Sequence, residues 1–260
     1  VVVHVLYNTA SQNVSDAQIQ SQLTVLNNDF RKLNTDWTNT PSTFTGVVAD
    51  CEFNFCLATV SPTGTSTTGI IRKSTTVTSF TTNDAMKYNA QGGSDAWPSG
   101  QYLNLWICNL SGGILGYAQF PGGASATDGV VINYTAFGTT GTAVAPFNKG
   151  RTATHEVGHW LNLRHIWGDD YCGDDFVPDT QIAYDSNYGC PSFPHNPWST
   201  CGSDGDGEMY MNYMDYVDDY CMVMFTYDQG TRMLSTLFGA RDGLLTSSGC
   251  GTISVNEYLP

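Results

Sequence analysis

His155-Glu156-Val157-Gly158-His159-Trp160-Leu161-Asn162-Leu163-Arg164-His165 is the stretch on which the reading of this chain turns. His155 and His159 are four residues apart, so on an α-helix they lie one above the other and can bind a single metal ion. Glu156 follows the first of them, where its carboxylate reaches a water on the metal rather than the metal itself. His165, six residues past His159, completes a set of three ligands only if the helix stops and the chain turns back. Asn162 suits that turn, because Asn tolerates the left-handed conformation better than any other non-glycine residue. Three histidines leave a fourth zinc position open, which marks a catalytic rather than a structural zinc site.

The rest of the chain sets limits. Its 260 residues suffice for one large domain or two lobes sharing a cleft. No apolar run reaches membrane-spanning length. Net charge is −14, from 10 basic and 24 acidic residues, which disfavours nucleic acid and anionic membrane surfaces and favours basic partners or cations. Eleven of the 20 aspartates fall between Asp169 and Asp219, either as a solvated acidic surface or as calcium-binding loops. Eight cysteines and no C-x-x-C pair suggest disulfides and an oxidising compartment, with buried free thiols as the alternative. Val1 to Tyr7 reads as a strand and not as a signal peptide, so a secreted form would have a leader outside this sequence.

Hydrophobic periodicity places the other elements. Ser15 caps a helix through Ile19, Leu23, Leu26, Phe30 and Leu33. Alternation predicts strands over 51–60, 69–74, 102–110 and 128–137, with a short edge strand at Gly116-Tyr117-Ala118-Gln119-Phe120-Pro121, where Pro121 ends the pairing. The zinc helix is expected over 148–161, and Thr226 caps a last helix through Phe238. Residues 168–207 show little periodicity and need fastening by disulfides or ions.

The zinc segment resembles the metzincin clan of metallopeptidases, whose pattern is His-Glu-x-x-His-x-x-Gly-x-x-His, with Asn162 here in place of the glycine. Asn212-Tyr213-Met214-Asp215-Tyr216 is similar to the clan's Met-turn. Met214-Asp215-Tyr216-Val217-Asp218-Asp219-Tyr220-Cys221 and Val177-Pro178-Asp179-Thr180 resemble the pappalysin family in particular. The resemblance implies an α/β (α+β) fold: a metzincin-type two-lobed catalytic domain. Its N-terminal lobe, about 1–162, holds a twisted, mostly parallel sheet and the zinc helix; its C-terminal lobe, about 163–260, is irregular and ends in a helix. It implies a secreted zinc endopeptidase, a monomer acting on protein or peptide substrates. His155, His159 and His165 would bind zinc, Glu156 would be the general base and then acid, and Tyr216 would stabilise the oxyanion. Gly116, Tyr117 and Ala118 would pair with substrate backbone, and Met214 would lie beneath the metal.

Asp219 matches the acidic pocket residue of pappalysins that prefer Arg, then Lys, just after the scissile bond. Asp179 and Thr180, with Asp169, Asp174, Asp175 or Asp185 nearby, would bind calcium; 203–208 is a second calcium candidate. Family habit pairs Cys172 with Cys201 and Cys190 with Cys221. The rival readings are a zinc hydrolase acting on a non-peptide amide or ester, and a non-catalytic zinc domain that binds peptides.

Overall fold

A computed structural model describes residues 1–196, 201 and 207–251. Five strands form one sheet: β1 Val2–Tyr7, β2 Ile70–Ser74, β3 Asn104–Cys108, β4 Gly116–Ala118 and β5 Val130–Asn133. Their order is β2-β1-β3-β5-β4. All neighbours are parallel except β4, which runs antiparallel to β5 with Tyr117 opposite Val131. Parallel strands must be covered on both faces, and these read accordingly: Val3, Val5, Leu105, Ile107, Val130 and Ile132 pack on one face. Leu6, Trp106, Cys108 and Val131 pack on the other, against Phe80 and Met86.

Helix α1 (Asp16–Phe30) starts at Ser15, whose hydroxyl accepts from Gln18 N at 3.1 Å. Its buried stripe is Ile19, Leu23, Leu26 and Phe30. Leu33, expected on that stripe, is 64% exposed, because the helix ends at Phe30 and Lys32 turns left-handed at φ +51°. Helix α2 (Arg151–Trp160) carries the metal motif; it is shorter than expected because Gly150, at φ +76°, caps it. Helix α3 (Tyr227–Leu237) opens with a capping box between Thr226 and Gln229. Its Gly230 comes close to Cys51. Among the described residues no helix is long and apolar enough to cross a membrane.

One expected strand is absent. Residues 51–59 join no ladder and Val60 makes only an isolated bridge to Ser66, because the main chain of the segment bonds to other groups. Asn27 brackets Phe55, donating to its carbonyl at 2.9 Å and accepting from its N–H at 2.7 Å. Ala58 N donates to Val1 O at 2.8 Å. The alternating aromatics serve packing instead: Phe53 and Phe55 meet Phe30 at centroid distances of 5.9 and 5.1 Å.

Disulfides Cys172–Cys201 and Cys190–Cys221 join the irregular segment to itself and to the chain after the Met-turn. A third, Cys56–Cys250, ties the extended segment to the C-terminal residues described. Cys51 and Cys108 are free and buried, so both readings of the cysteines hold, for different residues.

Candidate functional site

The end of α2 sets the site. Leu163 N donates to Gly158 O at 2.9 Å and Asn162 N to His159 O at 2.8 Å, the paired bonds of a Schellman motif with Asn162 at the left-handed position, φ +78°. Asn has replaced the usual glycine at a tolerable backbone strain. The reversal brings His165 back towards His155 and His159, so that one nitrogen from each lies within 4.8 Å of the others. Among the described residues this is the one group of three metal-capable side chains within reach of a single ion.

Each ring is held from behind. His155 Nδ1–H donates to Tyr213 O at 2.7 Å, and His159 Nδ1–H to Leu163 O at 2.8 Å. His165 Nδ1–H donates to the Asp169 carboxylate. With every Nδ1 so occupied, the Nε2 lone pairs are the ones free for a cation. His159 Nε2 and His165 Nε2 are 3.0 Å apart. Tetrahedral zinc with Zn–N bonds of about 2.0–2.1 Å places ligand nitrogens roughly 3.3 Å apart, so the donor set fits zinc. Burial lowers the proton affinity of all three rings, with His159 and His165 adding repulsion at His155 and His159 adding it at His165. The neutral form that a metal requires is therefore the resting form.

Met214 is fully buried under α2. A Cβ on Gly158 would come within 2.5 Å of its sulfur, so the glycine is what lets helix and Met-turn approach. Asn212 Oδ1 accepts from Met214 N at 2.9 Å and fixes the turn. The next residues face the metal site: the Tyr216 ring lies 4.7 Å from His165 and 5.6 Å from His155, at 40% exposure. Burial, followed by the charge of Glu156, raises the Tyr216 phenol to about 12, so it remains a donor. Burial alone pushes the Glu156 carboxyl up to about 8.

A cleft of about 440 Å³ joins these groups and is lined by His155, Glu156, Tyr216, Asp219, Leu115, Gly116, Phe147 and Met222, among others. Strand β4 forms one wall. At Gly116 a Cβ would stand 3.0 Å from Glu156 Cγ, so the strand passes directly over the motif. The side chain of Tyr117 leaves the cleft and donates to Asp84 at 2.8 Å; only its main chain is available there. Asp219, 1% exposed, accepts from Lys149 N at 2.7 Å and Arg151 N at 3.2 Å through one oxygen, at the start of α2.

The expected calcium ligands are not gathered. Asp179 accepts from Thr226 Oγ1 at 2.6 Å and Asp228 N at 3.0 Å, capping α3. Thr180 Oγ1 donates to Asp175, Asp174 accepts from Phe176 N and Asp185 from Ser186 N. Among the described residues these carboxylates therefore do not converge on one point as the three histidines do. Asp204 and Asp206 of the second candidate lie outside the described residues. Glu208 is buried and accepts from Tyr184 N and Asn187 Nδ2.

The peptidase M43 family model, described as pregnancy-associated plasma protein-A, matches residues 86–238. Mature mirolysin of Tannerella forsythia, solved in complex with a cleaved peptide, is 50% identical, with TM-score 0.90, covering 94% of this chain and 93% of that one. The extracellular metalloprotease of Colletotrichum graminicola is 41% identical over 145 residues, 52% of this chain and 50% of that protein. That of Arthroderma benhamiae is 28% identical over 249 residues, 93% of this chain and 78% of that protein. The chain spans about half the length of the first of these curated relatives.

The burial of Glu156 predicts how the metal-free protein responds to pH. Its pKa in the folded chain, about 8, lies above the ordinary 4.5, so between those values the folded state holds a proton that the unfolded chain has released. Stability present below 4.5 is then lost as pH rises through about 8. With metal chelated, Tm of the wild type should fall relative to Glu156→Gln across that window. A Tm difference independent of pH would contradict it.

Proposed function

The chain belongs to the pappalysin family of the metzincin clan, and on that premise we propose that it is a secreted zinc endopeptidase cleaving protein or peptide substrates. The observation that carries this reading is the convergence of three Nδ1-anchored histidines beside a buried glutamate, in a cleft with an edge strand as its wall. Zinc, when bound by His155, His159 and His165, supplies a Lewis acid that polarises a scissile carbonyl and makes water acidic enough to ionise near neutral pH. Glu156 takes the proton from the attacking water and delivers it to the leaving amine, the task of a general base and then acid beside the metal site. The Tyr216 phenol donates a hydrogen bond where negative charge develops on the carbonyl oxygen. The main chain of Gly116 to Ala118 holds the substrate extended by strand addition.

Asp219 is proposed to receive a basic side chain just after the scissile bond. The stem of an Arg or Lys would lie along Leu115, Phe147 and Met222, with the cation at the carboxylate. Because one carboxylate oxygen already accepts two main-chain N–H groups, the guanidinium meets mainly the other, and its preference over Lys is smaller than full bidentate pairing would give. The chain functions on this reading as one catalytic unit, its lobes meeting near residue 162. It acts as a monomer, its acidic surface opposing nucleic acid and anionic membranes. The extracellular naming of the relatives and the three disulfides support secretion.

At matched zinc content, Glu156→Ala should abolish cleavage of denatured casein, while Tyr216→Phe should lower kcat about 10²-fold with little change in KM. Full activity of Glu156→Ala would refute the assignment of the base. Mass spectrometry of product ends from a denatured proteome should show Arg and Lys enriched just after the cut, and Asp219→Ala should remove that enrichment. A basic preference unchanged in the variant would show that another group sets it.

A further inference from the structure

Two of the three imidazoles are anchored by main-chain carbonyls that the fold supplies whatever the side chains are: Tyr213 O from the Met-turn and Leu163 O from the end of α2. The third is different. His165 lies beyond the helix, in a loop, and its Nδ1 faces a side chain, the carboxylate of Asp169 four residues on. The turn between them is built to make that contact. Gly168 N donates to His165 O at 2.9 Å, and Gly168 and Asp169 both take left-handed backbone at φ +64°. A Cβ at Gly168 would stand 2.4 Å from Asp174 N, so the first of these positions admits only glycine. The second is a conformation that L-residues rarely adopt, and adopting it folds the aspartate back on the ring. Trp167 completes the clamp: its ring is stacked on His165 at 4.3 Å with the planes 6° apart.

We infer that Asp169 is the positioning residue of the third zinc ligand, a carboxylate–histidine pair that fixes the His165 tautomer, aims its Nε2 and makes it a better donor to the cation. The inference rests on the zinc reading given above. A carboxylate behind a ligating imidazole raises its basicity more than an amide carbonyl does, and losing such a partner typically weakens metal binding about 10–100-fold. His165 needs that support more than its fellows, since no helix holds its backbone.

The full chain carrying one equivalent of zinc, titrated with a chromogenic chelator, tests this. Asp169→Ala should bind zinc about 10–100-fold more weakly than wild type. Asp169→Asn keeps an acceptor without the charge and should fall between them. Asp170→Asn is the control: it removes the same charge from the same exposed loop, where Asp170 Oδ1 accepts from Tyr171 N and not from a histidine. It should retain zinc as wild type does. The cobalt-loaded Asp169→Asn protein should show a shifted visible ligand-field spectrum with unchanged near-ultraviolet circular dichroism, which loosening of the loop alone would not give. If Asp169→Ala fails to fold, the near-isosteric Asp169→Asn decides. Zinc retention equal to wild type in the Asn variant, or an equal loss in Asp170→Asn, would overturn the inference. Failure of the zinc reading is distinguishable, because His159→Ala would then retain as much zinc as wild type.

Discussion

An imidazole can offer a metal either nitrogen, and a site of three rings works only if each is told which to offer. Here that instruction is a hydrogen bond donated by every Nδ1–H, to Tyr213 O, Leu163 O and the Asp169 carboxylate. Much of the architecture serves to place those three acceptors. The Met-turn delivers Tyr213, the Schellman reversal at Asn162 delivers Leu163, and the left-handed pair at Gly168 and Asp169 delivers the carboxylate. The close approach of Gly158 to Met214 fixes the first of these against the helix that bears His155 and His159.

This arrangement is costly without a cation. Glu156 is buried with only a solvation penalty acting on it, and burial keeps three imidazole lone pairs away from water. A divalent ion relieves both, so metal binding and local stability are linked at this site. A second buried group shares the load of orientation. Asp215, whose carboxyl burial raises to about 7, accepts from Asn187 and from Tyr216 N, which holds the tyrosine-bearing turn at the cleft. Asp219 in turn answers the N–H groups at the start of α2, so the proposed specificity residue is also part of the frame of the metal helix.

The parts of this that were legible in sequence are those that depend on short spacing or on intrinsic conformational preference. Four-residue histidine spacing, Asn162 as the turn residue, Ser15 and Thr226 as caps and the Gly116–Ala118 edge all depend on a few adjacent residues. Alternation failed at 51–60, because it reports which side chains are buried and not what the main chain bonds to; Asn27 took the place of a neighbouring strand. The partners of the acidic loops were hidden for a related reason. Composition shows many carboxylates but not their partners: Asp179 meets a helix N-terminus 49 residues away, and Asp169 a histidine four residues before it. The four-residue spacing from His165 to Asp169 is the signal of the second in the sequence. Cys51 and Cys108 were unreadable as free thiols, since parity counts cysteines without saying which of them can meet.

The most direct test is zinc K-edge X-ray absorption of the protein carrying one zinc per chain. The account predicts a four-coordinate ion with three imidazole nitrogens and one oxygen at about 2.0–2.1 Å, and no sulfur. A sulfur shell near 2.3 Å, or fewer than three imidazoles, would contradict it.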